Sequence, residues 1–411
     1  MAEIKSEAKS DSRILILPGH PVSSCAWRAL AEHYALLFLY PQAKQHADSL
    51  ALATAHLGQF YSPDAQEWAA NETARMLGEL HSAQWDFQRF SERLPHDLNS
   101  RLPQWWPGYI LTHAQGLAQR IASLEVVSQK YEVSGLVLHE DVAPDTRSMA
   151  LWARARGIPT IHVPHANCHL RDDAGPDIHR ETRTDWLAAS GAYAADWYAR
   201  QGFPREQITV VGAPQWDALY EDVTDRDSAR RIFGFEAGDT VLVYATTWAQ
   251  TTGLRGGWQD EHEAGLAAVL SLAKEMSAAL VIKIHPNDQQ GSEDIFAERM
   301  KAAEIHGRVT RQHNAFALRA ADVFVAQGPS NMCVEAAIMG TPACYIQTEG
   351  FDYSHALPFR CAPDGLSQAA RLALESRGDP LWQDFIRFYN DVHPGGGAVA
   401  RLVEFVREKC P

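Results

Sequence analysis

The stretch VLVYATTWAQ (Val241–Gln250) opens as an apolar run and stops abruptly on two threonines and a tryptophan. An apolar run without polar alternation describes a strand covered on both faces, as the strands of parallel sheets in α/β proteins are. The polar stop then falls at the carboxyl end of the strand, which is where open parallel sheets bind their ligands.

Working outward from this strand, the same rhythm repeats. After Val241–Gln250 the chain alternates helix DEHEAGLAAVLSLAKEM, strand ALVIKIHP, helix DIFAERMKAAEIHG, strand RVTRQ, helix AFALRAA, strand DVFVAQ, helix NMCVEAAIMG and strand PACYIQ. Upstream, RILILPGHP, YALLFLYP, SGLVLHED, IPTIHVPHA, TDWLAASG and ITVVGAPQWD read as strands, several of them separated by helical segments. From about Ser62 to Lys130 a Trp-rich helical insertion interrupts them, broken by a loop containing Pro and Asn. Strand and helix in alternation build parallel sheets with helices on both faces. The expected fold class is therefore α/β: two Rossmann-like, doubly wound domains facing a cleft, with a helical insertion in the first.

The length of 411 residues fits two domains rather than one core. The expected limits are a disordered leader at 1–12, a first, acceptor-binding domain at 13–214, a second, donor-binding domain at 215–385, and a closing helical segment at 386–411 that packs back across the domains. The net charge of -14 disfavours broad binding to a polyanion, so nucleic acid is a minor candidate as partner. The six cysteines lack the spacing of a zinc site or the density of a disulfide scaffold, and reduced thiols in a cytoplasmic protein account for them. The first apolar run, ILILP, is too short for a signal or a membrane span, which leaves peripheral contact as the expected mode at any membrane.

Candidate site residues follow from the strand ends. Thr246 and Thr247 offer hydroxyls and backbone N–H groups to phosphate oxygens, or cap the next helix. VIKIHP places Lys283 and His285 two residues apart at a strand end, a cationic pair suited to a departing phosphate. QGPSNMCVEAAIMG brings Ser330 and Asn331 to a helix start, with Glu335 in its first turns, in reach of a sugar hydroxyl or simply favourable to the helix dipole. In PTIHVPHANCH, His162, His165 and His169 lack a carboxylate partner motif, so no metal is expected, and His165 is the candidate base. HEDVAPDTR adds Asp141, with Glu140 and Asp145, as secondary candidates for the base or for acceptor contacts; each could equally be a helix cap. Gly19 in LPGHP would permit close approach of backbone and ligand. No Walker A or GxGxxG pattern is present.

Taken together, YATTW, KIHP, ADVFVAQGPSNMCVEAAIMGTPACYI and VVGAPQWDAL resemble the second domain of CDP-glycerol glycerophosphotransferases and related capsule and teichoic-acid transferases of the GT-B type, over about residues 205 to 350. The tail FYNDVHPGGGAVARLVEFV is similar to that family's closing segment. The resemblance implies phosphate contacts at Thr246 and Thr247, a leaving-phosphate role for His285, nucleotide contacts at Ser330 and Glu335, and a base at His165. Departures are Ala249 in place of arginine, Pro329-Ser330-Asn331 in place of paired serines, and Ala166 in place of glycine. The donor is accordingly left open between a nucleotide sugar and CDP-glycerol.

The expected activity is metal-independent transfer of a glycosyl or glycerophosphate group from a UDP- or CDP-linked donor to an acceptor hydroxyl. The acceptor would be a polysaccharide or, against the charge, a modified nucleic-acid base. No cofactor is expected beyond the donor substrate. Two rivals stand beside this reading: a non-hydrolysing sugar-nucleotide 2-epimerase, and a nucleotide-sugar-binding protein without turnover. QWW (Gln104 to Trp106) in the insertion is expected either to stack on the acceptor or to fill a core.

Overall fold

The unbroken apolar runs form parallel strands. The computed structural model describes residues 13–19, 24–82, 102–141, 143–164, 183–246, 258–285, 291–311, 314–328, 330–347, 358–390 and 396–411, the side chains of 80–82, 102–112 and 258–262 excepted. Its strands are β1 (Ile14–Leu17), β2 (Ala35–Phe38), β3 (Thr54–His56), β4 (Val133–Leu138), β5 (Thr160–His162), β6 (Trp186–Ala189) and β7 (Ile208–Val210), followed by β8 (Val241–Ala245), β9 (Ala279–Lys283), β10 (Gly307–Thr310), β11 (Val323–Gln327), β12 (Ala343–Ile346) and β13 (Arg360–Cys361).

The first sheet has seven strands in the order β3-β2-β1-β4-β5-β6-β7, and the second has six in the order β10-β9-β8-β11-β12-β13. Numbered from its own first strand, the second sheet reads 3-2-1-4-5-6, the doubly wound order, whose topological switch lies between β8 and β11. In the first sheet the corresponding switch lies between β1 and β4. β3 and β13 are not read from the sequence, since Thr-Ala-His and Arg-Cys carry no apolar run to announce them.

The chain divides into two compact units. Described residues up to Pro164, with 183–188 and 402–411, form one; 189–401 form the other. The division falls inside β6, against the cut at Pro214 read from the sequence, and again inside the last helix, Ala398–Lys409, after Arg401. His165, His169, Thr247 and the leader at 1–12 lie outside the described residues.

In the first unit, Ile14, Ile16, Leu37, Leu136 and Leu138 pack against Leu124, Val127 and Met149 from the flanking helices. The insertion consists of helices Pro63–Ser82 and Leu102–Lys130, which meet along Ala65, Ala69, Ala118 and Ala122. Small side chains along that seam let the two backbones approach closely. Trp68 of the insertion is 43% exposed. The tryptophans of QWW have undescribed side chains, so the expectation about them lies outside the described residues. The chain end belongs to this unit: Tyr34 Oη donates to the Cys410 carbonyl at 2.8 Å, Ser134 Oγ donates to the Pro411 carbonyl at 3.2 Å, and Lys409 Nζ stands 3.9 Å from the Trp186 ring centroid.

In the second unit, Leu242, Tyr244, Leu280, Ile282, Val323, Val325 and Ile346 fill one core with Val269, Leu272 and Ala370 from the helices. At the amino edge of this sheet, buried Arg230 donates to Asp322 at 2.7 Å and to the carbonyls of Ala237 and Ala320 at 2.5 and 3.2 Å. Asp322 also accepts from the Val241 N–H at 2.8 Å and from Arg226 at 3.1 Å. Among the described residues no helix is long and apolar enough to cross a membrane.

Candidate functional site

The carboxyl edge of the second sheet assembles most of the residues singled out in the sequence. β8 is buried throughout and ends at Ala245, and Thr246 follows it, 4% exposed. The Thr246 N–H donates to the Lys283 carbonyl at 3.0 Å, and its hydroxyl accepts the His285 N–H at 3.0 Å. The polar stop of the opening stretch therefore stitches the end of β8 to the end of β9 and fixes the backbone that carries His285.

Lys283 is the last residue of β9 and is 3% exposed. Its ammonium donates to the Arg311 carbonyl at 2.6 Å and to the Ile284 carbonyl at 3.2 Å. Carbonyl dipoles replace only part of the hydration that a buried charge gives up. Burial consequently pushes its pKa down to about 8, against the opposing field of Glu335 and with a further push from Arg311. His285 is half-buried one residue beyond Ile284, and its carbonyl accepts from Arg311 Nη1 at 3.1 Å. Arg311 itself is held by both oxygens of Glu293, and this contact keeps the Glu293 carboxyl below its usual range.

On the other side of the switch, β11 ends at Gln327, whose side-chain oxygen accepts from the Tyr244 hydroxyl at 2.7 Å. Gly265 in helix Trp258–Glu275 makes room for that amide, since a Cβ there would stand 2.1 Å from its oxygen. Ser330 Oγ accepts the Met332 N–H at 3.2 Å, so its hydroxyl caps the short helix Met332–Ile338, and Asn331 takes the cap position without a side-chain bond. Glu335 is half-buried on that helix. Its carboxylate accepts Trp216 Nε1–H at 3.2 Å. Burial raises the Glu335 pKa, while Trp216, Asn314 and the Lys283 charge work to keep it ionised.

The structure thus brings Thr246, Lys283 and His285 together by direct bonds and sets Glu335 in the electrostatic field of Lys283. The acidic neighbour that a buried Lys283 requires is Glu335. Three participants were not singled out in the sequence. Arg311 follows a strand and could have been found by the strand-end rule; Trp216 lies within VVGAPQWDAL, where the resemblance pointed to the stretch and not to this residue, and Asn314 carries no local signal.

Gly19 and Asp141 belong to the first unit, at the ends of β1 and β4, which flank its switch. Gly19 has φ +86°, and a Cβ there would stand 2.1 Å from the Ala43 Cβ, so the close approach it permits includes the protein's own helix Pro41–Ser49. Asp141 is fully buried, and its carboxylate accepts the Arg183 N–H. Burial raises its pKa against that bond and against a second from the Thr184 N–H. Its other oxygen, Oδ1, has no hydrogen-bond partner among the described residues. Glu140 accepts the Ala143 N–H at 2.8 Å and the Thr146 hydroxyl, which makes it a cap for helix Pro144–Ala155. Asp145 pairs with Arg120 at 2.9 Å. His162 ends β5 in a buried position. Among the described residues no group of three or more His, Cys, Asp or Glu side chains is placed to hold a metal ion.

Residues 157–326 match the family described as CDP-Glycerol:Poly(glycerophosphate) glycerophosphotransferase, about two fifths of the chain. That span holds Trp216, Thr246, Lys283, His285 and Arg311 and ends before Ser330 and Glu335. No curated protein matches the chain by sequence. Among solved structures, UDP-GlcNAc 2-epimerase from Neisseria meningitidis bound to UDP-GlcNAc is similar with a TM-score of 0.60 at 13% identity, over 96% of this chain and 100% of that one. UDP-GlcNAc 2-epimerase from Methanocaldococcus jannaschii, in complex with UDP-GlcNAc and UDP, gives 0.58 at 14%, over 97% and 99%. The wall teichoic acid polymerase TagF, in a variant soaked with CDPG, gives 0.52 at 12%, over 97% and 88%. At such identities the likeness speaks for the fold alone: a GT-B-like α/β fold with two parallel sheets.

Proposed function

We propose that this chain, built on the GT-B glycosyltransferase-like fold and carrying a glycerophosphotransferase family segment, transfers a glycosyl or glycerophosphate group from a nucleotide-activated donor to an acceptor hydroxyl. The observation that carries this reading is the Thr246–Lys283–His285 arrangement at the carboxyl edge of β8 and β9, inside the matched segment.

A glycosyl donor would be attacked at its anomeric carbon: the acceptor oxygen bonds to that carbon, the bond to the diphosphate oxygen breaks, and a nucleoside diphosphate leaves. A glycerophosphate donor would be attacked at the phosphorus bearing glycerol, and a nucleoside monophosphate leaves as the P–O–P bridge breaks. Both outcomes place growing negative charge on a phosphate. A desolvated ammonium and an imidazole at one strand edge suit that charge, because fixed cations away from water stabilise it without reorganisation. His285 takes the contact with the departing phosphate, and Lys283 supplies field from beneath. The acceptor proton passes to a base, assigned to His165.

On this reading the donor is a UDP- or CDP-linked substrate, no resident cofactor or metal takes part, and the side chains named supply the charge. A polysaccharide hydroxyl suits the acceptor role, and the net charge of -14 disfavours a nucleic-acid one. The free thiols of the described cysteines suit a cytoplasmic location.

The test is a thermal-shift panel of UDP, CDP, GDP and ADP with their sugar or glycerol conjugates, run beside His285→Ala. A nucleotide that binds the folded state raises the melting temperature by mass action. The expected result is a shift with UDP or CDP conjugates that shrinks in the variant; a flat panel at millimolar ligand would overturn the reading. The higher TM-scores of the epimerases keep one second reading in view. Conversion of UDP-GlcNAc in the absence of any acceptor would establish it.

A further inference from the structure

Four arginines from three elements gather where β8 and β11 begin. Arg226 and Arg230 lie one turn apart on helix Arg226–Ile232, Arg319 comes from helix Asn314–Ala320, and Arg377 follows helix Leu366–Glu375. The carboxylate among them is Asp322. Its Oδ2 accepts from Arg230 at 2.7 Å and from the Val241 N–H at 2.8 Å, while its Oδ1 accepts from Arg226 at 3.1 Å and has Arg377 Nη2 at 3.9 Å. Arg377 also donates to the Asp322 carbonyl at 2.6 Å. Arg319 meets the carbonyls of Asp222 and Met339, both at 3.1 Å, and its buried Nε has no hydrogen-bond partner among the described residues.

One carboxylate matches one guanidinium, and buried Arg230 is the member that Asp322 holds most closely. Positive charge is left over outside that pair. Neighbouring acids remove only part of it. Asp222 lies in the field of Arg319 and offsets it, with its carboxylate also accepting the Thr224 N–H at 2.8 Å. Asp225 is turned to the cap of its own helix, where it accepts the Ser228 N–H and hydroxyl at 2.8 and 2.7 Å. Asp227 is exposed and, as the next residue along the helix, does not face the direction of Arg226. Burial, together with Arg377, Arg230 and Arg319, pushes the Arg226 pKa below its usual value, and Asp322 opposes them.

The side chains of Arg226 and Arg377 are 34% and 33% exposed, so the unmatched charge is open to solvent. A phosphate group brings up to two negative charges on oxygens that several guanidinium forks can share, whereas a carboxylate fills a single fork. We infer that Arg226 and Arg377, backed by Arg319, hold a phosphate group at the amino edge of the second sheet. Arg230 stays the structural member beneath them. The site does not rest on the proposed donor edge, from which it is separated by the length of β8, about 16 Å at the usual rise per strand residue. A phosphate ester in solution and a phospholipid headgroup share this chemistry.

The experiment titrates inorganic phosphate by calorimetry into Lys283→Gln/His285→Ala, in which the donor edge is weakened, and into the same variant carrying Arg226→Gln and Arg377→Gln. The first should bind phosphate, and the second should bind it roughly 10-fold or more weakly, since hydrogen bonds to a charged group are lost. Arg377→Gln alone, at a residue outside the helices, carries the test if the combined variant does not fold. Sedimentation of the wild type with vesicles of phosphatidylglycerol in phosphatidylcholine, against phosphatidylcholine alone, separates the sources. Pelleting with the anionic vesicles that Arg226→Gln/Arg377→Gln abolishes assigns the site to a headgroup; phosphate binding without pelleting assigns it to a soluble ester. Phosphate affinity and pelleting that the arginine substitutions leave unchanged overturn the site, as does the absence of both.

Discussion

The two edges of the second sheet handle buried charge in opposite ways. At the amino edge, Arg230 meets Asp322 and two carbonyls, and Asp322 in turn accepts a strand N–H and a second arginine. At the carboxyl edge, Lys283 is as deeply buried but, among the described residues, donates to carbonyls alone, and its carboxylate counterpart Glu335 acts on it through the field. A charge matched inside the protein has little left to offer a ligand, whereas one that burial has pushed toward neutrality gains from any anion that arrives. The contrast separates a structural network from the proposed binding site within one sheet.

The largest effect should come from breaking the matched edge. Arg230→Ala leaves Asp322 without its closest cation and opens the start of β8, and denaturant unfolding should report a loss of about 3–5 kcal/mol. A stable variant with unchanged midpoint would remove the distinction between the edges. At the other edge, His285→Ala should keep the fold, since the side chain is half-exposed, but lower turnover by roughly 10²- to 10³-fold, the size expected when one charge-stabilising group is removed. Circular dichroism together with donor consumption would check both halves of that expectation.

Lys283 sharpens the comparison through pH. With its pKa brought down to about 8, it carries its charge below that value and loses it as pH rises through it. Diphosphate affinity should therefore decline between pH 7 and 9, and the Lys283 contribution to that decline should vanish in Lys283→Gln. Stability has the opposite sign. The folded state releases this proton more readily than the unfolded chain, so between about 8 and the ordinary value of 10.5 the lysine's penalty on folding is relieved as pH increases. The smallest effect belongs to Thr246→Val, which keeps the shape but leaves the His285 N–H without its recorded acceptor. A stability loss of about 1–3 kcal/mol is expected in denaturant titration, with a modest fall in activity.

Some of this was legible along the chain and some was not, for reasons visible in particular residues. The Lys-x-His pair could be read because strand ends are marked locally, by an apolar run that stops and a proline that follows. Thr246 was read as a phosphate contact or a cap, and its hydroxyl turns out to hold the neighbouring strand end, a use that depends on which strand lies beside β8. Glu140 and Asp141 looked alike in HEDVAPDTR; one caps the helix that follows, while the other is fully buried under a segment 42 residues away. Gly19 was read as letting the backbone approach a ligand, whereas what stands against it is Ala43 of the helix Pro41–Ser49.

What the sequence determined by itself is the alternation of buried strands and helices, hence two doubly wound α/β halves, and the polar residues waiting at the strand ends. These follow from periodicity and turn chemistry, which act over a few residues. The tertiary structure alone decided the strand order that puts the switch of the second sheet between β8 and β11, the bond between Trp216 and Glu335 across 119 positions, and the placement of Arg311 behind His285. The physical reason is that such pairings are selected by the packing of whole elements, whose partners lie too far along the chain for any local pattern to name them.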